Sequence, residues 1–366
     1  MSVPDGSLAG ASPHLFLITG SLECGGSERQ LADMANYWAA KGFDVTVATW
    51  AGPGTRDCYS LDARVERVHL DSAVGGRLRG NLARIRKLRR VLEASRPCSV
   101  LSFLTRSNVP AILASRGLPA RVVISERTQP AYETGLQAEW RLLRRLVYGQ
   151  ADALVCQTRA TADWIWQHWG QRTEVIANAL RPLPTPPERR EPFILGVGRL
   201  VDEKGFDLLL QSYARIFRRL PEWRVVIAGS GPQRATFEML AADLAIGGRV
   251  EFLGHVEDIE AWMGRAGLVV QPSRFEGFPN AVLEAMGMGA AVISADCPAG
   301  PAELIQDGVN GRLVPVEDVE ALAQAMTELI STPELRSRLG HEAQKVRERF
   351  RQDKVMAQWE AVLLPR

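Results

Sequence analysis

Cysteine, histidine and long apolar runs are all scarce in this chain, and each shortage closes a class of function. The five cysteines, Cys24, Cys58, Cys98, Cys156 and Cys297, are scattered, odd in number and nowhere spaced C-x-x-C. They therefore spell neither a zinc site nor a thiol redox motif, and they suit a reducing cytoplasm. No stretch reaches the roughly 20 apolar residues of a membrane helix. The apolar "LFLITG" near the N-terminus is short and follows no basic region, so it reads as a buried first strand and not as a signal peptide. Charge of one sign is missing as well: 44 Lys and Arg against 42 Asp and Glu leave +2. Without a strong global field, nucleic acid is not an expected partner. No Asp-x-Asp pair occurs, and no metal or bound cofactor is expected. "GVGRLVDEKG" and "GSGPQRA" both lack the third glycine of a G-x-G-x-x-G turn, so a dinucleotide fingerprint is absent.

What is present is a repeated grammar. "HLFLITG", "DVTVATW", "RVERVHL", "SVLSFL", "ARVVISE" and "ADALVCQ" are short apolar runs, and amphipathic stretches such as "SERQLADMANYWAAKG" separate most of them. Alternation of this kind predicts βαβ units and a parallel sheet. The proline-rich "LRPLPTPPERREP" then interrupts every periodicity, as a linker does. Beyond it the grammar restarts with "FILGVGR", "WRVVIAGSG", "RVEFLG", "GLVVQPS" and "AAVISAD". A length of 366 residues exceeds the roughly 100 to 200 of a single domain. The expected organisation is an N-terminal Rossmann-like domain over 1–180, a linker over 181–192 and a second Rossmann-like domain over 193–350. A final helix over 351–366 is expected to return to the first domain. The fold class is α/β, with two halves facing a shared cleft.

In such sheets ligands collect at the carboxyl ends of strands, where helix N-termini offer free N–H groups to anions. "GGSERQ" follows the first strand, and Gly25 and Gly26 let backbone approach a ligand closely; the plain alternative is a tight strand-to-helix turn. Arg199 and Lys204 in "GRLVDEKG" leave a strand end together, and a forked guanidinium plus an ammonium can neutralise a diphosphate. The alternative is an exposed basic pair. In "SRFEGFPNAVLEAMGMG", Glu276 and Glu284 flank a Gly-Phe-Pro-Asn turn. Pro279 is preset for a first helical turn, so a helix is expected from about Phe278, with a diphosphate at its mouth. The two carboxylates then lie at opposite ends of a ligand whose middle is phosphate, and sugar hydroxyls suit both.

Two glutamates eight apart are weak evidence alone; their context is not. "EGFPNAVLEAMGMGAAVI", with "GGSE", "GVGRLVDEKG", "IAGSGPQR", "FLGHVEDI" and "GVNGRLVPVEDVEAL" in order, resembles the retaining glycosyltransferases of family 4, which have the GT-B fold and an E-x7-E signature. The resemblance spans essentially the whole chain. It implies that Glu276 and the backbone of Gly277, Phe278 and Pro279 hold the donor sugar, that Asn280 and Ala281 contact phosphate, and that Glu284 binds ribose. It also implies that Val256 meets the base through its backbone. Arg199 and Lys204, together with the Gly25–Gly26 loop, would stabilise the departing diphosphate. Many relatives carry a histidine near the sugar in the first domain, where this chain reads "ISERTQP"; Ser125, Glu126 and Arg127 are the candidates on that acceptor side.

The activity so implied is metal-independent retaining transfer from a nucleotide sugar, expected to be UDP-linked and in some relatives UDP-N-acetylgalactosamine. The implied acceptor is a glycan or a polyprenyl-diphosphate-linked glycan in cell-surface polysaccharide synthesis. The competing readings are an epimerase or phosphorylase on the same fold, and a non-catalytic sugar-nucleotide-binding assembly protein. One more feature is the basic, leucine-interleaved segment 77–96, which with "RLLRRL" at 141–146 suits an anionic membrane face of a peripheral protein; its alternative is a solvated arginine-rich helix. Trp164, Trp166 and Trp169 are expected to pack in core or interface and not to form a sugar platform.

Overall fold

The protein is described here by a computed structural model covering residues 12–23, 25–70, 77–133 and 135–364, apart from the side chains of 77–79; Cys24 lies outside these residues. Strands β1 (His14–Thr19), β2 (Asp44–Thr49), β3 (Val65–His69), β4 (Ser99–Phe103), β5 (Arg121–Ser125), β6 (Ala153–Cys156) and β7 (Glu174–Val175) make the first sheet. All are parallel, in the order β3-β2-β1-β4-β5-β6-β7. Helices α1 (Gly26–Ala40), α2 (Arg77–Ser95), α3 (Thr105–Ser115), α4 (Ala138–Val147) and α5 (Arg159–Trp169) connect them. Strands such as "SVLSF" are buried along their whole length, because helices cover both faces of a parallel sheet and leave no side for water.

The second domain repeats the plan. Strands β8 (Glu191–Val197), β9 (Arg224–Ala228), β10 (Val250–Gly254), β11 (Ala266–Gln271), β12 (Val292–Ala295) and β13 (Arg312–Val314) pair in the order β10-β9-β8-β11-β12-β13. Helices α6 (Phe206–Ile216), α7 (Arg234–Asp243), α8 (Ile259–Arg265), α9 (Asn280–Gly287), α10 (Val319–Ser331), α11 (Pro333–Ala343) and α12 (Val346–Arg349) complete it, and α13 (Gln352–Leu363) follows. In each sheet the strand order reverses beside the first strand of the domain, and the loops leaving that switch point face the cleft. Every apolar run named above is a strand. The short β7 and β13 carry too few residues to show a period.

The chain passes between domains twice. Outbound it runs through the proline-rich segment, which ends at residue 190 and not 192, because Glu191 already pairs with Ala266 as the first residue of β8. On the return, the Leu180 N–H donates to the Phe350 carbonyl at 2.8 Å, tying the two crossings together. Helix α13 then packs Val355, Met356, Trp359 and Leu363 into the first domain's core with Leu15, Leu17, Trp38 and Phe103. The expected return of the last helix is thus a packing fact. Among the described residues no helix is long and apolar enough to cross a membrane.

Candidate active site

A cavity of about 510 Å³ lies between the domains. Its floor on the second domain is made by loops that approach too closely for side chains. A Cβ on Gly229, after β9, would stand 1.8 Å from the Gly198 carbonyl after β8, so only glycine fits there. Arg199 follows Gly198 and is exposed at the rim. Lys204 closes a short 3-10 turn, Asp202–Lys204, and reaches back into the cavity.

Lys204 Nζ donates to both oxygens of Glu276, at 2.7 and 2.9 Å. Ser273 Oγ donates to the same carboxylate at 2.7 Å, and only 9% of the Glu276 side chain is exposed. The sequence suggested separate roles for these residues, one at the sugar and one at the diphosphate. In the structure they are partners, so the carboxylate and the ammonium are held side by side.

Helix α9 begins at Asn280, two residues later than expected, with Pro279 as the flanking residue at φ −82° and ψ 75°. The reason is local: the Asn280 N–H turns back to the Phe278 carbonyl at 2.9 Å, so 277–279 form a turn before the helix. Gly277 is needed in that turn, since a Cβ would lie 2.2 Å from the Arg127 carbonyl of the first domain. Gly277, Phe278, Pro279, Asn280, Ala281 and Glu284 all line the cavity, as does Val256.

From the first domain, Gly25 flanks α1 with extended backbone and Gly26 opens the helix. Here too the mouth is not empty: a Cβ on Gly25 would meet Glu28 Oε2 at 2.2 Å, so the helix's own carboxylate covers its N-terminus. Arg29, one turn in, crosses the cleft and donates to Glu284 Oε1. Asn178 Nδ2 donates to Asn280 Oδ1 at 2.7 Å, Arg127 donates to Asn178 Oδ1, and Tyr132 stacks on Phe275 with ring centroids 5.8 Å apart. The domains are therefore closed on one another by contacts between residues up to 255 positions apart. Sequence reasoning missed Arg29 and Asn178; Arg29 stands inside "GGSERQ", where the glycines drew the attention.

The acceptor-side candidates divide. Arg127 lines the cavity, with its guanidinium carbon 4.4 Å from the centre of the Phe103 ring, and burial pulls its pKa down to about 9. Ser125 and Glu126 do not line it. Ser125 is fully buried at the end of β5. Glu126 turns away under α3 and α4, where it accepts hydrogen bonds from Thr105 Oγ1 at 3.0 Å and from the Tyr148 hydroxyl. Burial, reinforced by Glu133, pushes its carboxyl up to about 7, although Arg144 opposes the shift. At a strand end successive side chains point to opposite faces, so three consecutive residues cannot all face the acceptor. Of the tryptophans, Trp164 and Trp169 pack edge to face at 5.5 Å, while Trp166 is 55% exposed.

Two parallel-sheet domains closed over a cleft lined by basic groups, carboxylates and a helix mouth define a GT-B enzyme. The comparisons give the family. The "Glycosyl transferase 4-like domain" model matches residues 25–179 and the "Glycosyl transferases group 1" model matches 184–346. The chain belongs to these family 4, group 1 glycosyltransferases, which take nucleotide-sugar donors. It is 29% identical over 94% of its length, and 96% of the relative's, to a Campylobacter jejuni α-1,4-N-acetyl-D-galactosaminyltransferase acting on an undecaprenol-diphosphate-linked glycan. It is 33% identical to an exopolysaccharide phosphotransferase of Streptomyces coelicolor over 66% of this chain, which spans only 26% of that protein. Among solved structures, Anabaena HepE in complex with UDP-glucose superposes with a TM-score of 0.79 at 20% identity, covering 96% of this chain and 99% of that one. That likeness shows the fold.

Proposed function

We propose that the protein transfers a sugar from UDP to a glycan acceptor with retention of configuration and without a metal ion, in cell-surface polysaccharide synthesis. The observation that carries this reading is the Lys204–Glu276 pair in a cavity whose lining it shares with Arg199 and with Asn280, the first residue of α9. As the donor enters, its diphosphate takes up Lys204 and Arg199, and Glu276 is left to accept hydrogen bonds from the sugar hydroxyls. Charge developing on the leaving diphosphate is then met by fixed cations and N–H groups, the kind of electrostatic stabilisation that dominates such reactions. The acceptor hydroxyl attacks from the face the diphosphate leaves, and a phosphate oxygen takes its proton, so no side chain becomes a covalent nucleophile. Glu284 receives the ribose, and the Val256 backbone meets the base.

The test is transfer from UDP-sugars, N-acetylgalactosamine and glucose among them, to a panel of glycan and polyprenyl-diphosphate-linked acceptors. Product with a retained anomeric configuration and a rate unchanged by EDTA is expected. A strict divalent-metal requirement, or product formed from UDP-sugar with no acceptor present, refutes the mechanism and favours an epimerase.

The acceptor is proposed to be lipid-linked and met at an anionic membrane face. Helix α4 supports this: Leu142 and Leu146, one turn apart, are 61% and 64% exposed, and Arg141 and Arg145 beside them are exposed too. Apolar side chains between arginines suit a headgroup boundary. Helix α2 contributes less than its sequence suggested. Arg84 lies over the Trp50 ring and Arg89 caps the carbonyls of Ala114 and Arg116, leaving Arg86 and Arg90 exposed. Each basic group near such a surface adds about 1 kcal/mol, fading over a Debye length. Co-sedimentation with phosphatidylserine-containing vesicles at low salt is therefore expected, lost at high salt and in the combined glutamine variant of Arg86, Arg90, Arg141 and Arg145. Full binding by that variant, or none by the wild type, makes a soluble acceptor the better reading.

A further inference from the structure

The ion pair between Arg29 and Glu284 sits where the ribose is proposed to bind, and it does not sit alone. Arg29 leaves the first turn of α1; its side chain is 19% exposed and that of Glu284 only 8%. One helical turn further along α1 is Asp33, also within electrostatic reach of Arg29, of Arg181 and of Glu284. Arg181, at the start of the linker, is held by Glu260 of α8. Two arginines thus serve three carboxylates at the seam between the domains. Arg29 is the one placed to choose, because Asp33 lies four residues from it on the same helix face, the spacing at which side chains meet. Burial pushes the Asp33 carboxyl up against the pull of both arginines, which marks it as a carboxylate that closer contact with a cation would relieve.

We infer that Arg29 is a two-position residue of the donor site: it pairs with Glu284 and passes to Asp33 when ribose hydroxyls take Glu284. The inference rests on the reading of Glu284 as the ribose carboxylate. Its physical content is an exchange. A carboxylate with little exposure cannot be left without donors, so Arg29 supplies them until the sugar does. Asp33 then receives the guanidinium that Glu284 gives up. Since the Arg29–Glu284 pair also spans the domains, the exchange loosens that contact as the nucleotide binds. Arg29 touches no reacting atom in this scheme and is a positioning residue.

The consequence is that the nucleoside must displace an ion pair in order to bind. Titration calorimetry on the full chain with uridine and with UDP measures this. Arg29→Met, which keeps length and removes charge, is expected to bind uridine more tightly, on the order of five-fold, the worth of about 1 kcal/mol of ion pair. Asp33→Asn removes the second position and is expected to weaken uridine binding by a similar factor, but only while Arg29 is present; in the double variant the Asp33→Asn effect vanishes, as coupling through a shared partner requires. Arg29→Gln serves as the second variant should the methionine one be poorly folded. Weaker uridine binding by both Arg29 variants, or an Asp33→Asn effect that persists without Arg29, overturns the inference. Glu284→Ala separates the two levels. If it leaves uridine and UDP affinity unchanged, the ribose reading itself falls and takes the exchange with it. If it weakens both while the Arg29 variants do not tighten uridine, only the exchange falls.

Discussion

Replacing Lys204 by alanine is expected to slow transfer by on the order of 10²-fold or more, the loss seen when a stabiliser of developing charge is removed. The geometry adds a second consequence. Lys204 is bonded to both oxygens of Glu276, so its removal leaves a carboxylate with 9% side-chain exposure facing the incoming diphosphate. Like charges at that distance repel, and UDP affinity is expected to fall along with the rate. Glu276→Ala should behave otherwise. It also slows transfer by on the order of 10²-fold, because the sugar loses its acceptor of hydrogen bonds, but it releases Lys204 to the diphosphate, so UDP binds as tightly as before or more tightly. Calorimetry with UDP beside single-turnover rates distinguishes these outcomes. Glu276→Ala losing UDP affinity in proportion to rate would place Glu276 on the nucleotide and refute the assignment. A double variant no slower than Lys204→Ala alone is the further expected result, since neighbours that act as a unit are not additive.

The largest effect on stability is expected far from this chemistry, at Trp359. Its side chain is 2% exposed and packs against Phe103 with ring centroids 6.2 Å apart. The helix that carries it is fastened to the first domain by the Ser99 hydroxyl on the Leu363 carbonyl, by Arg121 Nε on the Val362 carbonyl at 2.6 Å, and by Lys41 on Glu360. Truncating a buried tryptophan to alanine costs about 3 to 5 kcal/mol, the transfer term plus the cavity left behind. At roughly 2 to 4 °C per kcal/mol for a domain of this size, the melting temperature should fall by on the order of 10 °C. The unfolding unit affected should be the N-terminal domain, although Trp359 is the last tryptophan of the chain. Limited proteolysis of the variant near its new melting point is expected to cut within residues 12–180 first. A fall of only a degree or two, or first cleavage in the second domain, would show that α13 is not part of the first core.

Much of this architecture was legible from short-range pattern. Apolar runs of four to seven residues between amphipathic stretches are what a sheet buried on both faces requires, and each of those runs is a strand. The proline-rich segment interrupts the pattern because each proline lacks the N–H that strand and helix interiors use, and the site loops were legible because residues that must lie against ligand or backbone leave a motif in one continuous stretch. The start of α9 was misplaced by two residues, since Pro279 fits both a first helical turn and the position just before one.

By itself, then, the sequence determined which segments become strands and helices, that two Rossmann-like halves follow one another, and which loops of the second domain carry the motifs that line the cleft. Only the tertiary structure decided who meets whom there. Lys204 with Glu276, Arg29 with Glu284 and Asn178 with Asn280 are pairs 72, 255 and 102 positions apart. No local period records such pairings. They arise from the strand order of two sheets and from the closure of one domain on the other, and Glu126 shows the same limit in reverse. The residue stands one position before a cavity-lining arginine, yet its carboxylate lies under α4 with Tyr148. The alternation of side chains at a strand end turns neighbours to opposite faces, and which face meets the ligand is settled only when the sheet is assembled.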